Sequence, residues 1–182
     1  MYLAYDTETT GLSSNCQVLT AYFIVLDKEL NVVDTLDLKI KYDKYNIQPR
    51  AMEINKINME EHEKSADTLE EAKSKFEFFL DKNKMDNKFI AFGHNISYDI
   101  RMLKSNNILT CDLEDKYFSK ETLDTIEIAK DKRNDGFISP KQSLSLEKLC
   151  YSLDVNCKSD KLHNAEYDIL LTIELYKKLV KF

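Results

Sequence analysis

Tyr5-Asp6-Thr7-Glu8-Thr9-Thr10-Gly11-Leu12 closes an apolar run that starts at Tyr2, and its reading decides how the rest of the chain is arranged. Successive side chains of a strand alternate faces, so Asp6 and Glu8 point the same way. Two carboxylates on one face repel each other unless a positive group lies between them. No Arg or Lys is near in sequence, and a pair of oxygen ligands suits Mg²⁺ or Mn²⁺. Gly11 ends the strand with a residue that lets backbone come close to a ligand. Taken alone, the stretch is equally an ordinary strand running into a polar turn, and the later motifs decide between the two.

After this stretch, residues 17–27 read as a strand buried on both faces, with Val18, Leu19, Tyr22, Phe23, Ile24 and Val25 close together. The polar turn Lys28-Glu29-Leu30-Asn31 leads to a further strand, Val32 to Lys41, which gives three consecutive antiparallel strands. A short helix is expected from Pro49 to Asn58, with Ala51, Ile54 and Ile57 on one side. Thr68-Leu69-Glu70-Glu71 is a capping box, and it opens a helix with the buried stripe Leu69, Ala72, Phe76, Phe79 and Leu80. Phe89 to Phe92 is a short strand ended by Gly93, and a helix from about Asn95 to Ser105 buries Ile96, Ile100 and Leu103. Thr122 to Lys130 begins ambiguously and ends helical, and a polar loop fills Lys130 to Gln142. Ser145 caps a helix holding Leu146, Leu149 and Leu153. The last helix, Asn164 to Lys181, turns Ala165, Ile169, Leu170, Ile173, Tyr176 and Val180 inward. Three strands, then helices alternating with short strands, predict a single α/β domain over 1–182: a central mixed sheet flanked by helices.

The 182 residues suffice for an ample core, and no apolar run approaches a membrane span. The N-terminus lacks the basic stretch and apolar block of a secretory signal, which predicts a cytoplasmic protein. Its basic residues are nearly all lysine, and Asn and Ile are abundant. That bias reads as AT-rich coding, of a low-GC bacterium or a virus, and a virus would place the protein in the host cytoplasm. The four cysteines show neither CxxC spacing nor a partnering His pattern, so reduced thiols are expected rather than zinc or disulfides. A net charge of −6 speaks against a polyanionic partner, but two divalent ions would bring it to −2.

Two further acidic motifs follow. In Gly93-His94-Asn95-Ile96-Ser97-Tyr98-Asp99, Asn95 and Asp99 stand at i, i+4 and would share a helix face. Asp99 borders the apolar positions Ile96, Ile100 and Leu103, so its carboxylate needs a partner, either Arg101 or a metal. Arg101, two residues on, projects elsewhere, which favours the metal. In His163-Asn164-Ala165-Glu166-Tyr167-Asp168, Asn164 caps the last helix and Asp168 lies in its first turn, where the macrodipole favours a negative group. His163 then sits just before the helix, on backbone free to move.

The series Asp6-x-Glu8, Asp99 and His163-x4-Asp168 resembles the DEDDh 3′→5′ exonucleases, which include polymerase proofreading subunits and RNase T. The likeness runs from Tyr5 to Asp168, with Leu123-Asp124-Thr125 and Ser143-Leu144-Ser145-Leu146 resembling supporting segments. The sister group with Tyr four residues before the last Asp is not matched, since position 164 is Asn. One departure stands out: where the family often carries His-Gly-Ile, this chain has Asn55-Lys56-Ile57.

The resemblance implies a ribonuclease H-like fold and two divalent ions, Mg²⁺ or Mn²⁺, roughly 4 Å apart and held by Asp6, Glu8, Asp99 and Asp168. It implies His163 as the general base and nucleoside 5′-monophosphates as products. Thr9, Gly11, Leu12, His94 and Asn95 would bind the substrate, with Leu12 as an apolar wedge at the terminal base. Lys158 and Lys161 are candidate phosphate contacts. The expected substrate is single-stranded or frayed DNA 3′ ends; RNA trimming, short-oligonucleotide cleavage and a catalytically silent binding module are the alternatives. The chain stops at Phe182, soon after Asp168, so no polymerase-binding tail is expected, and self-association as in RNase T stays open. The enzyme expected from this is autonomous and of low processivity.

Overall fold

The computed structural model describes residues 1–84 and 86–181. Phe182, on which the expectation about a C-terminal tail rests, lies outside the described residues. β1 (Tyr2–Thr9), β2 (Val18–Leu26) and β3 (Val32–Lys41) form the expected antiparallel meander. Asp27 closes the turn between β2 and β3 by accepting the backbone N–H of Glu29 and of Asn31. Then come α1 (Pro49–Asn55), α2 (Met59–Ser65), β4 (Asp67–Thr68), α3 (Leu69–Lys82), β5 (Phe89–Gly93), α4 (Ile96–Ser105) and α5 (Cys111–Tyr117). β6 (Phe118–Asp124), α6 (Thr125–Asn134), α7 (Leu146–Ser152) and α8 (Ala165–Leu179) complete the order. The sheet is mixed, in the order β4-β3-β2-β1-β5-β6, with β5 parallel to β1, β6 to β5 and β4 to β3.

The central strand β1 is covered on both faces. Leu3 and Tyr5 join a core with Phe76 of α3 and Ile96, Met102 and Leu103 of α4. Ala4 faces the other way, toward Phe92 and the α8 residues Ile169 and Ile173. Burying such side chains is worth roughly 1.5–3 kcal/mol each, and this holds α8 across the sheet. A further cluster joins α6, α7 and α8 through Ala129, Leu149, Cys150, Leu171, Leu175 and Leu179. The helices bearing the second and third acidic motifs thus flank opposite faces of the strand that bears the first.

Several boundaries differ from the sequence reading. The helix expected over 49–58 is broken at Lys56, which takes a left-handed backbone (φ 57°), and Asn58 starts α2 by capping Glu60 and Glu61. The second acidic helix starts at Ile96, because Asn95 is left-handed (φ 64°) and stands outside it, so the i, i+4 relation with Asp99 does not hold. Helix α5 and strand β6 occupy a stretch for which the sequence reading gives no element before Thr122, the ambiguous start at Thr122 being the end of β6, and α6 runs on to Asn134 into the expected loop. Leu170 and Val180 face outward, 43% and 53% exposed, because α8 is buried through Leu171, Leu175 and Leu179 as well as through Ile169 and Ile173. The four cysteines are free. Among the described residues no helix is long and apolar enough to cross a membrane.

Candidate active site

All four acids of the motifs and His163 line one cavity of about 300 Å³ at the end of β1. Asp6 and Glu8 reach it from the same face of the strand, both half-buried between the buried Tyr5, Thr7 and Thr9. Asp99 comes from α4. Its carboxylate is buried and accepts two hydrogen bonds from Thr7, the backbone N–H at 3.0 Å and Oγ1 at 2.7 Å. Asp168 comes from α8, where the Asn164 side chain caps the helix by accepting the Tyr167 N–H. Its Oδ2 accepts the His163 N–H at 3.0 Å, while Oδ1 is buried without a partner. Ligand atoms of Glu8, His163 and Asp168 lie within 4.8 Å of one another and form a possible metal-ligand group; Asp6 and Asp99 stand outside that set.

The charges in this cavity oppose one another. Burial, then the neighbouring Asp99, Glu8 and Asp168, hold the Asp6 pKa well above the usual carboxylate range. Burial with the fields of Asp168 and Asp99 pushes Glu8 up to about 8. Burial raises Asp99 to about 7 against the lowering effect of the Thr7 hydrogen bonds. Asp168 rises to about 6, again chiefly by burial, against the His163 N–H. Arg101 does not relieve this repulsion: it lies over the Tyr98 ring at 5.1 Å and donates to the Leu12 carbonyl at 3.3 Å. An acid cluster of this kind, with an unpartnered buried carboxylate oxygen and no Lys or Arg in its lining, fits hard divalent cations. His163 is exposed and has a left-handed backbone (φ 64°); partial burial, with the positive field of Lys56 and against the raising field of Glu147, holds its pKa below the ordinary histidine value.

The expected substrate contacts fall into two groups. Thr9, Leu12 and His94 line the cavity. Leu12 is 72% exposed. His94 is held through Nδ1 to Thr125 Oγ1 at 2.8 Å, and burial lowers its pKa to about 4. The Thr9 hydroxyl is already engaged with the Gly11 carbonyl and the Tyr98 hydroxyl. Gly11 and Asn95 do not line the cavity. A Cβ on Gly11 would lie 2.5 Å from Gln48 and 2.7 Å from Cys16 Sγ, so the close approach that requires glycine is made by this chain's own side chains. The Asn95 N–H is bound to Asp124 Oδ1 at 2.9 Å.

Several contributing residues were not read from the sequence. Thr7, between the two acids, holds Asp99. Tyr98 joins the cavity wall to the Gly11 carbonyl at 3.2 Å. Asp124, in the first supporting segment, accepts N–H groups from Asn95, Ile96 and Ile126, and so fixes the starts of both α4 and α6. In the divergent segment, Asn55 donates to the Thr9 carbonyl at 3.1 Å and accepts the Ile57 N–H, tying α1 to the end of β1. Of these, Asp124 stands out in the sequence only as part of a segment carried by the family resemblance, with no capping role assigned to it. Beside the cavity, and sharing Glu8, Asn55 and His163 with it, runs an open groove of about 660 Å³. Lys161 lines that groove together with Lys56, whereas Lys158 does not.

A family model described as RNase T, exonuclease, matches residues 3–176. No curated protein sequence matches the chain at a significant level. Solved structures do. E. coli Exonuclease I in complex with a dT13 oligonucleotide superposes with a TM-score of 0.76 at 22% identity. Its zinc-bound form with single-stranded DNA gives 0.76 at 21%, and the moderately thermophilic Exonuclease I from Methylocaldum szegediense gives 0.77 at 20%. Each match covers 99% of this chain and 40% of the other, so the chain spans about two fifths of the length of those proteins. The shared fold is the ribonuclease H-like exonuclease architecture, as the motifs predict. Because the family model runs from the first strand into the last helix, taking in each acidic motif on the way, this chain belongs to the RNase T exonuclease family.

Proposed function

We propose that the chain is a metal-dependent 3′→5′ exonuclease that removes nucleoside 5′-monophosphates from single-stranded or frayed DNA 3′ ends with the aid of two divalent ions, Mg²⁺ or Mn²⁺. The observation that supports this best is the convergence of Glu8, Asp168 and His163 within 4.8 Å, in a cavity also lined by Asp6 and Asp99. Bound among Asp6, Glu8, Asp99 and Asp168, divalent ions would keep the carboxylates ionised, lower the pKa of the attacking water and offset charge on the leaving 3′ oxygen. His163, its pKa held below the ordinary histidine value, takes the proton of that water through an imidazole nitrogen. The new bond joins the water oxygen to phosphorus, and the bond that breaks is P–O3′. The shortened strand keeps the O3′, which is protonated from solvent. A cavity of this size admits a strand end rather than a duplex, with Leu12 at its mouth to part the terminal base from its neighbour.

The test is mononucleotide release from DNA and RNA of one sequence, each single-stranded and as a blunt duplex, with Mg²⁺. The expected order is single-stranded DNA ahead of duplex, without any added polymerase. Faster release from RNA would move the reading to RNA trimming. Equal trimming of single strand and duplex would remove the strand preference, and no release from any substrate would leave a silent binding module.

A further inference from the structure

The cavity deals with one phosphate, the scissile one, and its lining contains no cationic side chain. A 3′-hydroxyl-terminated strand has no phosphate beyond its last nucleotide, so every other phosphate it carries lies upstream of the scissile bond. The adjoining groove is where cations appear. Lys56 and Lys161 both line it, both are exposed, and neither makes an ion pair among the described residues. Lys56 is also held in an unusual way. It occupies a left-handed position (φ 57°, ψ 22°) that glycine adopts more easily, between Asn55, bonded to the Thr9 carbonyl, and Ile57. That backbone fixes the root of its side chain beside the cavity, and its charge is felt at His163. Lys161, two residues before His163, lines the same groove, its ammonium 6.0 Å from the centre of the Tyr167 ring.

We propose that Lys56 and Lys161 form a clamp for the phosphate next upstream of the scissile one, which makes Lys56 a positioning residue for the substrate strand. This rests on the exonuclease reading and adds to it the number of linkages that the enzyme grips. Glu8, Asp160 and Glu166 stand in the same lining, so a phosphate is held only where the two ammonium groups act together and away from these carboxylates. One gripped phosphate is therefore expected rather than a long basic track.

A chemical cycle tests this. Lys56→Gly removes the ammonium and relaxes the left-handed backbone, so it is not expected to impair folding; Lys161→Ala is the companion variant. Each is assayed on a DNA trinucleotide and on the same trinucleotide whose upstream linkage is a neutral methylphosphonate. On the native trinucleotide, Lys56→Gly should raise KM about 10-fold with little change in kcat, as for a lost charged contact. On the methylphosphonate form it should change KM by less than about 2-fold, since the partner charge is already gone. In anisotropy titrations of a labelled single strand with Ca²⁺ in place of Mg²⁺, the slope of log K against log salt should fall by about 0.7. Equal losses on both trinucleotides would place the lysines on the scissile phosphate, and no loss on either would make them solvated surface groups; both results overturn the proposal. If wild-type protein releases no mononucleotide yet the binding slope still drops, the clamp stands and the exonuclease reading fails.

Discussion

Asp99 and Asp168 reach one cavity from opposite faces of the sheet and are held there by different means. Asp99 is clamped to β1 by both the N–H and the hydroxyl of Thr7, across 92 positions of sequence. Asp168 is held by its own neighbourhood alone, through the N–H of His163 five residues earlier, and leaves one buried oxygen unpartnered. The first half of the site is built by tertiary structure. The second half sits on a helix start and a left-handed residue, and a buried unpaired carboxylate oxygen is costly until something binds it. The comparison implies that the α4 side supplies geometry, whereas the α8 side supplies the unpartnered oxygen toward which a cation is proposed to bind.

The largest effects should come from the acids. Asp6→Ala or Asp168→Ala is expected to abolish turnover in a mononucleotide-release assay without loss of fold, because removing one of several crowded carboxylates relieves repulsion. In EDTA, Asp168→Asn should raise Tm by about 2–4 °C. Near-wild-type turnover by either alanine variant would make the site assignment wrong.

His163→Ala comes next, with a rate loss on the order of 10²- to 10⁴-fold. The variant keeps the backbone N–H that holds Asp168, so Mn²⁺ affinity measured by calorimetry should change little. A large loss of Mn²⁺ binding would make His163 a ligand instead, an outcome its distance from Glu8 and Asp168 permits.

A smaller loss is expected on the α4 side. Thr7→Val preserves shape and the backbone hydrogen bond but deletes the hydroxyl on Asp99, and kcat/KM should fall about 10-fold. If it falls as far as in the acid variants, Thr7 does more than hold Asp99.

The smallest effect concerns stability without metal. Glu8 at about 8, Asp99 at about 7 and Asp168 at about 6 all titrate above an ordinary carboxylate. The folded protein therefore keeps protons that the unfolded chain has released. Their contribution to stability is fully present below about pH 4 and is lost as pH rises through 6 to 8. Tm in EDTA should fall by at least about 5 °C between pH 5 and pH 8, and Mg²⁺ should restore it at pH 8, where Asp99 and Asp168 have lost their protons. A Tm that stays flat or rises in EDTA would contradict the crowding of these acids.

The parts of this molecule that follow a period were legible in the sequence. The alternation through Asp6 and Glu8, the doubly buried β2 and the capping box at Thr68 each predict a local structure that the fold contains. The helix breaks were not legible. The chain has only three glycines, and apart from Gly136 the left-handed positions among the described residues are taken by Leu30, Lys56, Asn95, Asn107, Asp154 and His163. Without glycine as punctuation, 49–58 reads as one helix and Asn95 reads as a helical residue. The hydrogen bonds from Thr7 to Asp99 and from Asn55 to Thr9 were invisible for another reason: they join segments far apart in sequence, and no local spacing encodes them. The motif acids were therefore readable, whereas the residues that aim them were not.

The central claim is that this acid cavity removes nucleotides from the 3′ end in a metal-dependent way. A single-stranded oligonucleotide labelled at its 5′ end, incubated with the protein in Mg²⁺ and in EDTA and resolved on a denaturing gel, tests that claim most directly. The account predicts a ladder of labelled strands shortened one nucleotide at a time in Mg²⁺ and an intact strand in EDTA. Immediate release of the labelled 5′ nucleotide, internal cuts without a ladder, or equal degradation in EDTA would contradict it.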